Sequence, residues 1–255
     1  RGKNCGSNMM IKAIIFDFGQ TLVDSADGFR AAEKIAKEKF FLSLFPDADD
    51  DQWQIFLMEY RQIRKSFHAE SNFSRFEIWQ AVCERFNCRA DSNKLTQMET
   101  EYWELVQSKT TPFPETISVL GKLSKLFQLG IITNTQGQKT SRNHRLSLFP
   151  GIEKFFETIV IAGESGLPAK PDPKPFKHCL EKMNIKACEA MYVGDDFQKD
   201  VLGAGSVGMN PVWLKHSLVK RSWPDPEINT IFRVITNLNQ LLETDVNRLD
   251  LYRHN

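Results

Sequence analysis

IIFDFGQTL, residues 14–22, sets an unbroken apolar run directly against an aspartate. A strand with one face in water alternates apolar and polar residues. This run does not alternate, which is the mark of a strand covered on both faces, as in a parallel sheet. In an open parallel sheet, ligands bind beyond the carboxyl ends of the strands. Asp17, placed just after the run, is therefore a candidate site residue.

Working outward, runs of the same kind recur at Leu129–Thr133, Thr158–Ala162 and Met191–Val193, after the first at Ile11–Phe16. Pro211–Leu214 and Thr230–Thr236 are two further strand candidates. Helical periodicity at Thr116–Phe127 and Asp172–Met183 separates the later runs, so the second half reads as repeated βα units of a doubly wound α/β fold. From Asp24 to Lys109 the pattern changes. Phe29, Ala32, Ile35 and Ala36 keep helical spacing, as do Trp53, Phe56, Leu57, Tyr60, Ile63 and Phe67, then Phe76, Trp79, Val82, Cys83 and Phe86, and last Tyr102, Leu105 and Val106. These stripes are read as core. The expected organisation is an α/β core of residues 10–23 and 110–255, with a helical domain of residues 24–109 inserted after the first strand; Pro112 and Pro114 mark the return.

Composition narrows the function classes. The 255 residues include 33 basic and 32 acidic ones, a net charge of +1 that gives no broad positive field for nucleic acid or an anionic membrane. No apolar stretch approaches the roughly 20 residues of a membrane span. The five cysteines, Cys5, Cys83, Cys88, Cys179 and Cys188, lack CxxC spacing and read as reduced thiols of a cytoplasmic protein. The opening RGKNCGSN reads as a tail, with Met9 or Met10 as the start of the native chain.

Four polar groups fall at strand exits or beside them: Asp17-Phe-Gly-Gln-Thr21, Thr133-Asn134, Asp195-Asp196 with Asp200 beyond, and Lys170 in GLPAKPDPKPF, before a helix opened by Pro173 or Pro175 near Asp172. Each alone has an ordinary explanation, since aspartates cap helices, Thr-Asn pairs turn, and lysines beside prolines are solvated. Taken together, an aspartate nucleophile, a hydroxyl, a lysine and an acidic pair are what phosphoryl transfer through an aspartyl phosphate requires. GAGSVG, residues 203–208, fits the G-x-G-x-x-G dinucleotide pattern, but a helix is expected before it and the run PVWL follows, so it reads as a helix-to-strand turn. Arg61, Arg64 and Lys65 could meet a substrate anion; a solvated helix face is the expected reading.

In this order, FDFGQTL, IITN, GLPAKPDPKPF and VGDDFQKD resemble the motifs of the haloacid dehalogenase superfamily with a helical C1-type cap, over about residues 10–245. The resemblance implies a Rossmann-like core, Mg²⁺ as cofactor and phosphatase activity on a small phosphorylated metabolite. It also implies roles. Asp17 would attack phosphorus; Thr133 and the Asn134 backbone would hold phosphoryl oxygens; Lys170 would neutralise the developing charge. Asp17, Asp195 and the Gly19 carbonyl would hold Mg²⁺, with Asp200 or Asp196 orienting the site from behind. The chain departs from the family at Gly19, where a second aspartate usually supplies acid/base help worth about 10²–10⁴-fold. Gln20 could at most orient a water. The alternative reading is a catalytically weak relative that binds a phosphorylated ligand or a protein partner. A metal-free 2-haloacid dehalogenase fits less well with the Asp195-Asp196 pair, and a receiver domain has its acidic pair first in the chain. Oligomeric state has no signature in the sequence.

Overall fold

The computed structural model describes residues 10–70, 72–135, 137, 145–225 and 232–243. Cys5, RGKNCGSN with Met9, and the first two residues of the Thr230–Thr236 run lie outside the described residues. Along the chain, β1 (Ala13–Phe16) and β2 (Val23–Asp24) are followed by α1 (Ala26–Leu44), α2 (Asp50–Ala69), α3 (Arg75–Arg85) and α4 (Ser92–Ser108). Then come β3 (Thr111–Pro112), α5 (Thr116–Leu123), β4 (Gln128–Asn134), α6 (Pro150–Glu153), β5 (Thr158–Ala162) and α7 (Pro173–Met183). The described chain closes with β6 (Ala190–Gly194), a π-helical turn (Phe197–Leu202), α8 (Gly203–Ser206), β7 (Asn210–Leu214), β8 (Arg233–Ile235) and α9 (Gln240–Glu243).

Among the described residues two compact units result: one takes those up to Asp24, Thr111–Asn134 and those from Leu146 on, the other those of Ser25–Thr110 with Thr135, Gly137 and Arg145. The first holds a six-stranded sheet in the order β5-β4-β1-β6-β7-β8, parallel throughout. Every residue of β1 and β6 is buried. Ile14 and Phe16 enter a cluster with Leu129, Ile131 and Val193. Ala13 and Ile15 enter another with Ile132, Phe176 and Cys179. Successive strand residues point to opposite faces, so two apolar layers demand the continuous apolar run seen at residues 14–16. The fold is the doubly wound, Rossmann-like α/β arrangement expected from the sequence, and all six strand candidates are strands.

The order of the strands locates the crevice. From β1 the chain winds outward through β4 and β5, then crosses back to the other side of β1 for β6, β7 and β8. Direction reverses at β1, and the carboxyl ends of β4, β1 and β6 flank that switch point. Register sets their side chains level: Phe16 pairs with Ile131 on one side and Val193 on the other. Asp17 stands one residue beyond this level and Thr133 and Asp195 two residues beyond it, so all three emerge at the same end of the sheet.

Two local details differ from the sequence expectation. Helix α5 stops at Leu123 and not Phe127, because Lys125 and Leu126 donate to the carbonyls three residues back and the chain tightens before β4. The short pair β2–β3 was not anticipated: Val23 faces Pro112 and Asp24 faces Thr111, antiparallel, where the inserted segment leaves and returns. The Thr116 hydroxyl and the Phe113 N–H both donate to the Leu22 carbonyl, at 2.8 and 3.2 Å. Two-residue strands carry too few side chains for a pattern.

The second unit packs α1–α4 around Phe40, Phe56, Tyr60, Trp79, Val82, Cys83, Tyr102 and Val106. Asp49, Ser74 and Asp91 accept backbone N–H groups at the starts of α2, α3 and α4, which explains where each helix begins. Most of the striped residues lie in or against this core; Ile35 is the departure, 40% exposed, because the buried face of α1 runs through Gly28, Ala32, Ala36 and Phe40. Gly28 permits close approach of α4: a β-carbon there would lie 2.7 Å from the Val106 carbonyl oxygen. Alanine in place of a helical glycine ordinarily adds up to about 1 kcal/mol, whereas overpacking costs about 1–3 kcal/mol. Gly28→Ala is therefore expected to lower stability by about 1–2 kcal/mol, read from urea unfolding; a gain would mean that α1 and α4 separate freely.

Candidate active site

Lys170 is the hub of the switch point. Its ammonium, fully buried, donates to Asp17 Oδ1 at 2.7 Å, Asp200 Oδ1 at 2.7 Å, the Tyr192 hydroxyl at 2.8 Å and the Ile132 carbonyl at 3.0 Å. Three protons thus serve four acceptors, two of them carboxylates. Burial alone would push this ammonium down, but Asp17, Asp200 and Tyr192 outweigh it and hold it well above its ordinary value. The backbone of Lys170 is fixed as well, because the Asn134 side chain accepts from its N–H at 2.8 Å and donates to its carbonyl at 3.3 Å. Asp172 then caps α7 by accepting from Lys174 N, with Pro173 in the first turn.

Asp17, Asp195 and Asp200 each offer one carboxylate oxygen within 4.8 Å of the others. Asp200 is the most heavily engaged of the three: Oδ1 serves Lys170 and Tyr192, and Oδ2 accepts from the Asp196 N–H at 2.9 Å. Arg221 pairs with Asp195 Oδ2 at 2.8 Å. Burial, then Asp17 and Asp200, raise the Asp195 carboxyl well above the usual range despite Arg221. Burial raises Asp200 to about 6, with Lys170 pulling it down and Asp17 pushing it up.

Of the residues expected from the sequence, Asp17, Lys170, Asp195 and Asp200 come together, and Thr133 is buried beside them at the end of β4. Asn134 grips Lys170 through its side chain. Gly19 bridges to Val23, and its neighbour Gln20 takes the left-handed conformation (φ 60°) while donating to Asp24 at 3.4 Å. The Asp196 carboxylate is turned away: it accepts from Lys199 N at 3.0 Å, pairs with Lys199 Nζ at 2.9 Å and caps the π-helical turn. Tyr192 and Arg221 were not anticipated. A buried tyrosine inside an apolar strand looks like core, and Arg221 lies far along the chain in the loop after β7. GAGSVG forms α8 and the turn into β7, and Arg64 is paired with Glu33.

Comparison with known proteins gives the family and agrees with the fold. The haloacid dehalogenase-like hydrolase family matches residues 14–214. The chain is 30% identical over 208 residues to the glyceraldehyde 3-phosphate phosphatase of Pyrococcus abyssi (strain GE5 / Orsay), covering 81% of this chain and 82% of that protein. It is 24% identical over 216 residues to the N-acylneuraminate-9-phosphatase of Rattus norvegicus, covering 81% and 84%. Among solved structures, a 2-haloacid dehalogenase from Pseudomonas syringae pv. Tomato DC3000 matches with a TM-score of 0.61 at 26% identity, over 92% of this chain and 97% of that one.

The clustered carboxylates make stability depend on pH. Asp195 and Asp200 bind a proton more readily in the folded protein than in the unfolded chain, where an aspartate titrates near about 3.9. A carboxyl raised on folding contributes stability that is complete below about pH 4 and is lost as pH rises through its folded value, about 6 for Asp200; Asp195 is shifted in the same direction. With metal removed by chelation, Asp195→Asn is expected to melt above wild type at pH 7, the gap closing towards pH 4. Thermal unfolding across that range measures it, and a gap independent of pH would rule out the electrostatic origin.

Proposed function

The chain belongs to the haloacid dehalogenase-like hydrolases and is a phosphohydrolase acting on a small phosphorylated metabolite; we propose that it works through an aspartyl phosphate on Asp17, with Mg²⁺ as cofactor and the helical unit as a cap that sets specificity. The observation that carries the mechanism is the Lys170 ammonium bonded at once to Asp17 and Asp200. The donor set fits the cation. Carboxylate oxygens suit a hard divalent ion, and among the described residues the three clustered carboxylates form ion pairs with two basic groups, Lys170 and Arg221. Asp17 and Asp195, with the Gly19 carbonyl, would hold Mg²⁺, and Asp200 orients Lys170. Bound there, Mg²⁺ would offset the repulsion between the nucleophile and an anionic substrate.

The residues then divide the work. Asp17 attacks phosphorus, and the ester P–O bond breaks as the acyl-phosphate bond forms. Lys170 and the Thr133 and Asn134 groups at the end of β4 balance and hold the phosphoryl oxygens. The leaving alkoxide needs a proton. Lys170 does not provide it, because two carboxylates hold its ammonium charged. Glycine at position 19 has none to give. The free thiols Cys83, Cys88, Cys179 and Cys188 fit a reducing compartment such as the cytoplasm, and among the described residues no helix is long and apolar enough to cross a membrane.

Two outcomes follow. An aryl phosphate, whose leaving group needs little protonation, is expected to be hydrolysed in Mg²⁺ well above an Asp17→Asn control; equal rates would remove the enzymatic reading and favour ligand binding without turnover. Gly19→Asp is expected to raise turnover of alkyl phosphates, approaching the roughly 10²–10⁴-fold of general acid/base catalysis at most, with a smaller gain on aryl phosphates. An unchanged or lower alkyl rate would show that the missing proton donor is not the limit.

A further inference from the structure

The loop after β7 brings a guanidinium to Asp195 that none of the strand-end motifs contains. Arg221 grips that residue twice: Nη1 pairs with the carboxylate Oδ2 at 2.8 Å, and Nη2 donates to the Asp195 backbone carbonyl. A planar fork on two oxygens of one residue fixes orientation as well as charge. The fork is braced in turn. The guanidinium lies 4.0 Å from the centre of the Trp223 ring, Trp223 packs edge-on against Trp213, and the buried Trp213 indole donates to the same Asp195 carbonyl at 3.0 Å. The loop is pinned to the sheet by Lys215 N–H and Ser217 N–H on the Ile235 and Thr236 carbonyls. A solvated surface arginine would have none of this support.

We propose that Arg221 is a positioning residue for cation binding: by holding Oδ2 of Asp195 it presents Oδ1 to the cation. This rests on the reading of Asp195 as a cation ligand. Two effects compete. Charge repulsion between the guanidinium and a bound cation weakens affinity, while a fixed ligand strengthens it. The Arg221 side chain is 36% exposed against 8% for Asp195, so water and salt screen the repulsion. Orientation acts in full, and partners that orient a metal ligand are typically worth about 10–100-fold in affinity.

The test is calorimetric titration of the full chain with Mg²⁺ alone, in wild type, Arg221→Gln and Arg221→Lys, with melting temperatures taken in chelator. Arg221→Gln is expected to bind about 10–100-fold more weakly while melting close to wild type. Arg221→Lys should fall between the two, because an ammonium reaches one oxygen but cannot fork. Equal or tighter binding by Arg221→Gln overturns the proposal. If that variant does not fold, Arg221→Lys decides: weakened binding supports the role and unchanged binding removes it. Wild type that takes up no Mg²⁺ would defeat the metal site itself and the proposal with it, whereas wild-type binding matched by Arg221→Gln removes Arg221 alone.

Discussion

A single buried ammonium organises the site. Burying a lysine is costly unless its charge is paired and its protons are all bonded, and Lys170 meets both conditions only because β1, β4, β6 and the π-helical turn each deliver an acceptor: Asp17, the Ile132 carbonyl, Tyr192 and Asp200. Four segments, drawn from three distant stretches of the sequence, are thereby tied to one nitrogen. The requirement also runs backwards to the backbone. Gly194 lies where a β-carbon would sit 2.4 Å from the Asp200 carboxyl, so the strand that carries Asp195 has to be bare one residue earlier for Asp200 to reach the lysine.

This explains why so much of the fold was legible in sequence. Burial on both faces leaves continuous apolar runs, and four strands, β1, β4, β5 and β6, announced themselves in that way, with β7 and β8 as weaker candidates. The strand-end polar residues stood out because nothing in a parallel sheet's core accounts for them. Less legible were the groups whose role depends on what they meet in space. Tyr192 carries a hydroxyl that matters only beside Lys170, and as a ring in an apolar run it is indistinguishable from core. Asp196 stands next to Asp195 and reads as its equal, yet its carboxylate belongs to the π-helical turn while only its N–H serves the site, through Asp200. The β2–β3 pair was hidden by brevity.

The helical unit shows the same asymmetry. Its caps, Asp49, Ser74 and Asp91, are local and readable. The seam is not: the apolar stripe of α1 includes Ile35, which is 40% exposed, while Gly28, the residue that determines how closely α4 approaches, carries no hydrophobic signal at all. Periodicity gives the face of a helix to within about a turn; close packing then selects the residues along it that touch.

Position 19 is where backbone and chemistry separate. Glycine is ordinarily retained where φ must be positive, but the left-handed residue of this turn is Gln20, at φ 60°, and Gly19 is not among the positive-φ glycines. Conformation therefore does not demand a glycine there, and its effect has to be sought in charge and protons. Counted in the ionised form that a bound cation would select, Asp17, Asp195 and Asp200 meet Lys170 and Arg221, one more negative than positive group among the described residues. A divalent cation turns that into one excess positive charge, suited to a phosphate dianion. A further aspartate at position 19 would cancel it when ionised and would add a proton donor when protonated. With glycine there, the mechanism proposed above keeps the attraction for an anion and draws no proton from position 19, a balance that favours substrates whose leaving groups depart without help.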